Sequence, residues 1–94
     1  MRIVNDSLAG TLESSDAVVR VSPHDTLEVT VVSTVEAQFG AQIRAVVADT
    51  LDSLDVRDGR VVVEDKGALD CTLRARVQAA VMRASDDDLD WSAL

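Results

Sequence analysis

The hydrophobic period switches between two and about 3.6 along this chain, and that switching limits the folds open to it. From Asp16 to Ser33 apolar residues alternate: Val19 and Val21 fall on one face, and Leu27, Val29 and Val31 do so again after the break at Pro23-His24-Asp25. A period of two is that of a half-buried strand, so this stretch predicts two strands joined by a turn. From Val35 the spacing becomes helical, through Phe39, Ile43, Val46, Val47, Leu51 and Leu54, and predicts a helix over about 34–54. Ser33, with Glu36 three residues later, matches a capping box at its start. Gly40 lies inside this helix and costs roughly 1 kcal/mol relative to Ala, which packing of the apolar stripe has to offset.

Val56 to Gly59 reads as a connection with Asp58-Gly59 as its turn signal, and Arg60-Val61-Val62-Val63-Glu64 as a short β-branched strand. A second helix is expected from Ala68, with Leu69, Leu73, Val77, Ala80 and Val81 as its buried stripe and Arg74, Arg76 and Arg83 on exposed flanks. Asp70 in its first turn and Arg83 in its last both suit the helix dipole. Gly10 to Glu13 forms a shorter strand in front of the others, which makes Ser14-Ser15 the tip of a first hairpin. The order β, β, β, α, β, α predicts an α+β domain: a mixed sheet of three to four strands with both helices on one face. The strand after the first helix should run parallel to the one before it. The other face of the sheet is left partly exposed or covered by a partner. Residues 1–85 are expected to make one domain, and 86–94, with Asp86-Asp87-Asp88 and Trp91, an acidic flexible tail.

With 94 residues the chain has room for one domain. Phe39 and Trp91 are its only aromatics, so the core is aliphatic and offers no platform for stacking bases. The net charge of −8 repels nucleic acid and anionic membranes. It suits a basic protein surface as partner, and equally serves simply to keep the domain soluble. Cys71 is the sole cysteine, which excludes an internal disulfide and paired-cysteine metal sites and reads as cytosolic. No apolar run approaches the roughly 20 residues of a membrane helix.

Candidate chemistry is sparse. His24 stands alone in a turn, and no donors recur at metal-ligand spacing; the 86–88 acidic run is a solvated charge run rather than a cation site. Ser14 with His24 could in principle be a nucleophile and its base, but nothing supplies an oxyanion hole. Asp52-Ser53-Leu54 matches the phosphopantetheine motif of ordinary acyl carriers, yet there the serine opens a helix and here Ser53 closes one. Cys71 points away from the second helix's stripe with no base in view. Ser14, between Glu13 and Asp16 with Ser15 beside it, is either a polar turn or an attachment point.

The combination of Ala9-Gly10-Thr11-Leu12-Glu13-Ser14, Val35-Glu36 with Gln38-Phe39-Gly40, Asp65-Lys66-Gly67-Ala68-Leu69-Asp70-Cys71 and Leu73-Arg74-Ala75-Arg76 resembles the acyl carrier (gamma) subunit of bacterial citrate lyase, in register from about residue 8 to 85. The resemblance implies a non-catalytic carrier whose arm, phosphoribosyl dephospho-coenzyme A, is joined by a phosphodiester to Ser14, with Glu13, Ser15 and Asp16 as flanking recognition residues. It implies that the alpha subunit exchanges acetyl for citryl on the arm's thiol and the beta subunit cleaves the citryl thioester to oxaloacetate and acetyl carrier. A prosthetic-group transferase and an acetate-charging ligase are the further partners it implies. The carrier of malonate decarboxylase uses the same kind of arm and is the nearest alternative; an unmodified acidic interaction domain is the alternative from another class. In the family pattern glycine follows the modified serine, and here Ser15 stands there. Glycine takes positive φ without steric cost and serine less readily, so the conformation of the turn is left open by the sequence.

Overall fold

The computed structural model describes residues 1–85. The elements follow in the order β1 (Ser7–Gly10), β2 (Ala17–Ser22), β3 (Leu27–Ser33), α1 (Glu36–Ser53), β4 (Gly59–Asp65) and α2 (Asp70–Ala84). The sheet order is β1-β2-β4-β3. β2 is antiparallel to both β1 and β4, and β3 runs parallel to β4 across the α1 crossover, as expected. The acidic tail expected at 86–94 lies outside the described residues.

Register sets which valines meet across the sheet, although Val29 on the edge strand β3 stays 43% exposed and Val18, in the outer row, is buried. Val19 faces Val63 and Val21 faces Val61, with Val31 and Val29 next in the same rows on β3. Val19, Val21, Val61 and Val63 are fully buried and join Ile43, Val47, Leu51, Leu73, Val77 and Val81 in one aliphatic core. Each such side chain contributes roughly 1.5–3 kcal/mol by leaving water. The intervening rows form the outer face, where Leu8 and Val32 are exposed and the pairs Arg20–Glu64 (2.6 Å) and Arg60–Glu28 (3.1 Å) tie neighbouring strands.

Five expectations need correction. Leu27 and Val29, expected on the buried face with Val31, are 38% and 43% exposed because β3 is an edge strand. The first strand lies at Ser7–Gly10 rather than at Gly10 to Glu13, because Gly10 takes φ +99° and ends the ladder there. Ser33 does not cap α1: it is the last residue of β3, its hydroxyl donates to Asp65 Oδ2 (2.7 Å) and accepts from the Val35 N–H (3.1 Å), and the helix begins at Glu36. Phe39 and Leu69 are exposed, at 48% and 71%, because they precede the turns of their helices that lie over the sheet. Arg76 is no free flank residue but reaches across to Asp16.

The far end of α1 shows what ends it. Asp55 takes φ +56°, its N–H donates to the Asp52 carbonyl (3.0 Å) and the Val56 N–H to the Leu51 carbonyl (3.0 Å). This is a Schellman motif with aspartate where glycine is usual, and Leu51 and Val56 bring the accompanying apolar contact into the core.

Candidate functional site

Ser14 lies on the loop between β1 and β2, at the sheet end where β4 hands over to α2. The β2–β4 ladder does not stop at Ala17↔Asp65. It runs on through Lys66 N–H to the Asp16 carbonyl (2.9 Å) and Ser15 N–H to the Lys66 carbonyl (2.8 Å). The Ser14 turn is thus clasped by backbone to the stretch that follows β4. Within it the Asp16 N–H donates to the Glu13 carbonyl (3.2 Å), closing a four-residue turn with Ser14 and Ser15 in the middle. Ser15 takes φ +65° at the third position, where a type II turn asks for glycine. Serine here occupies the left-handed conformation in which glycine is the usual residue.

Side chains hold this conformation. The Arg76 guanidinium donates from Nε to Asp16 Oδ1 and from Nη2 to Asp16 Oδ2, both at 3.0 Å, a two-pronged pairing. Oδ2 also accepts from the Thr11 hydroxyl (2.7 Å) and Oδ1 from the Ala17 N–H (2.8 Å), while Thr11 Oγ1 accepts from the Glu13 N–H (3.3 Å). With four donors on one carboxylate its charged form is strongly favoured, and the Arg76 hydrogen bonds above all, then Thr11 and Ala17, hold Asp16 far below the usual carboxylate range. The same pairing raises Arg76 above its ordinary value. Asp16 is accordingly not an open charge on a docking face: Glu13 is exposed and, among the described residues, its carboxylate meets no hydrogen-bond or ion-pair partner, whereas that of Asp16 is neutralised where it stands.

Asp65 organises the adjoining loop. It is buried at the end of β4 and accepts from the Ser33 hydroxyl (2.7 Å), the Gly67 N–H (3.0 Å) and the Ala68 N–H (3.0 Å). Gly67, at φ +88°, completes the bend into α2. On the other side of this loop Val35, Phe39, Ile43, Ala68 and Leu69 line a shallow apolar groove of about 410 Å³. Sequence reasoning missed Asp65 and Arg76 as organising residues. A charged residue ending a β-branched run ahead of glycine is a signal that could have found Asp65; the Asp16–Arg76 pair, 60 positions apart, left none.

The Ser14 side chain itself is exposed and takes part in no hydrogen bond among the described residues. The histidine that a hydrolytic reading would pair with it is not brought to it. His24 follows the opposite end of β2, roughly 20 Å away along the strand, and its ring accepts from Thr26 N–H (3.3 Å) beside Glu28. Ser53 is the last residue of α1, with its hydroxyl donating to the Thr50 carbonyl (2.8 Å), so it closes a helix as expected. Cys71 is exposed in the first turn of α2. Among the described residues no group of metal-ligating side chains forms, and no helix is long and apolar enough to cross a membrane.

Comparison with known proteins places this architecture. Residues 4–84 match the acyl carrier family described as "Malonate decarboxylase delta subunit (MdcD)". The fold is also that of a chain in the crystal structure of a Pseudomonas malonate decarboxylase hetero-tetramer in complex with malonate, with a TM-score of 0.76 over 86% of this chain and 84% of that one, at 18% identity. Fold and family thus define an acyl carrier, a carrier subunit and not an enzyme. Citrate lyase acyl carrier proteins are far nearer in sequence: that of Vibrio cholerae is 57% identical over 100% of this chain and 99% of its own. Those of Pectobacterium atrosepticum and Haemophilus influenzae are 55% and 52% identical over all of this chain and 100% and 99% of theirs. The chain belongs to the citrate lyase acyl carrier protein family.

Proposed function

We propose that this chain is the acyl carrier subunit of a citrate lyase and that Ser14 is the residue to which its phosphoribosyl dephospho-coenzyme A arm is joined through a phosphodiester. When bound, that group supplies a thiol on which acetyl or citryl is held as a thioester. One observation supports the site: the Ser14 hydroxyl is exposed and unengaged among the described residues, at the tip of a turn whose backbone is held by Lys66 and by the Asp16 carboxylate. The Ser15 hydroxyl beside it is also unengaged among them, and the family motif is what selects Ser14. The residues fit such a group. A covalent arm of this size needs a hydroxyl that a transferase can reach and a base that does not swing with it, and Ser14 is exposed while Asp16, Arg76 and Lys66 fix the backbone beneath it. No pocket has to enclose the arm, since it has to leave the carrier for active sites elsewhere.

The rest of the chain agrees with a tether. Linking a substrate to a carrier turns encounters with successive active sites into intramolecular ones at an effective concentration set by the arm's length. The alpha and beta subunits, the prosthetic-group transferase and the acetate-charging ligase are the partners this reading requires. The carrier of malonate decarboxylase is a second reading, favoured by the description of the matching family and by the shared fold. Reconstitution decides between them. Ser14→Ala should fold with an unchanged melting temperature, assemble with the alpha and beta subunits, and give a complex without citrate cleavage, whereas the charged wild-type chain supports it. Loss of fold in Ser14→Ala would make Ser14 structural, and turnover of malonate but not citrate would move the chain to the second reading.

A further inference from the structure

The positive charges around the Ser14 turn are unequally committed. Arg20, Arg44, Arg57, Arg60, Arg74 and Arg76 are each paired with a carboxylate, and Arg83 donates to the Leu8 carbonyl (2.9 Å). Two cations remain without a side-chain partner among the described residues. One is Arg2, close to Pro23 and Asp58 at the opposite end of the sheet. The other is Lys66, the only lysine in the sequence, exposed and locked by both its N–H and its carbonyl to the residues that follow Ser14. Lys66 borders Val32, Thr34 and Glu64 on the outer face and is one ladder position from the Ser14 turn. Its four-carbon stem is longer than the roughly 4.8 Å between neighbouring strands, long enough to swing over to Ser14.

The local charge balance gives this lysine a use. Asp16 and Arg76 cancel each other, leaving Glu13 as the exposed anion beside Ser14 and Lys66 as the exposed cation. Attachment forms a bond from Ser14 Oγ to the phosphorus of an activated phosphate ester. It breaks the bond from that phosphorus to its phosphate leaving group, and the hydroxyl proton passes to a basic group of the transferase. The product keeps an anionic phosphodiester next to Glu13, on a chain of net charge −8. We infer that Lys66 is the phosphate-binding residue of this site: its ammonium holds the donor's phosphate during attachment and afterwards the phosphodiester on Ser14. The inference rests on the attachment reading above and adds a residue and a ligand group to it.

Because Lys66 makes its structural bonds through backbone alone, its side chain can be changed without undoing the clasp. Intact mass with fragmentation first establishes whether the arm is present and on Ser14; its absence there would overturn the attachment reading itself. With apo and holo chains in hand, acylation of Lys66 by a water-soluble succinimidyl ester is followed by peptide mass. The expected result is slower labelling in the holo chain, with the protection fading as salt is raised, since screening weakens an exposed ion pair. Lys66→Gln should lower kcat/KM for transfer of the arm by about threefold to tenfold, mainly through KM, with melting temperature unchanged and Lys66→Arg restoring most of the rate. Equal labelling of apo and holo Lys66, salt-independent protection, or wild-type transfer kinetics in Lys66→Gln would overturn the inference while leaving Ser14 as the attachment site.

Discussion

Two residues other than glycine take positive φ in residues 1–85, Ser15 at +65° and Asp55 at +56°, and they are held there differently. Asp55 is fixed by main-chain bonds that close α1, and the packing of Val56 with Leu51 ties its conformation to the core. Ser15 sits on a turn that adds nothing to the core, since Leu12, Glu13, Ser14 and Ser15 are all exposed. Its geometry is nonetheless fixed by two main-chain bonds to Lys66 and by the fourfold engagement of Asp16. A backbone outlier maintained by packing is part of folding. One maintained by a polar network on the surface, with the Ser14 and Ser15 hydroxyls left free at its tip, is a presenting device.

Substitutions that break the comparison should act in a definite order. Gly10→Ala has the largest effect: at φ +99° an added Cβ would stand 1.8 Å from the Ala17 carbonyl oxygen, so the entry to the Ser14 loop cannot be kept. Urea denaturation should show a loss of about 3 kcal/mol. Ser15→Val and Asp55→Val should each cost about 1–2 kcal/mol, because a β-branched residue is forced into the left-handed region. Only Ser15→Val should also slow attachment of the arm, by about tenfold or more, since displacement of the acceptor by even about 1 Å is costly. An equal effect of both on attachment would erase the distinction between the two ends.

The opposite lesion sharpens it. Ser15→Gly and Asp55→Gly should each raise stability by about 0.5–1 kcal/mol, relief of the left-handed strain exceeding the extra unfolded-state freedom of glycine, with Ser15→Gly charged as readily as the wild type. Asp16→Asn should have the smallest effect on stability, since its partner is solvent-screened, and that effect should depend on pH. The folded-state value of Asp16 lies below its ordinary 3.8, so its contribution is complete above that value and is lost as pH falls below it. Thermal melts of the two proteins should therefore differ by a constant amount from neutrality to about pH 5 and converge progressively in stronger acid.

Much of the fold was legible because the spacings of Val19 and Val21, of Ile43 to Leu51, and of Leu73 through Val77 to Val81 are local signals of which face is buried. On the edge strand β3 the same alternation left Leu27 and Val29 exposed. The parallel placement of β4 beside β3 followed from the crossover rule. What escaped was decided by tertiary partners. Ser33 and Glu36 have capping-box spacing, yet Asp65 on another strand claims the serine hydroxyl. Phe39 and Leu69 have core spacing, yet the sheet does not extend beneath them. Ser14 was readable as a candidate from its motif, whereas the Asp16–Arg76 fork that supports it is a contact between distant positions, and no local pattern encodes it.

Whether Ser14 is the anchor is tested most directly by the mass of this chain isolated within an active complex from a cell that holds the dedicated transferase, with fragmentation fine enough to separate Ser14 from Ser15. One added phosphoribosyl dephospho-coenzyme A, located on Ser14, is the expected result. An unmodified chain in an active complex, or a prosthetic group on Ser15 or Ser53, would contradict it.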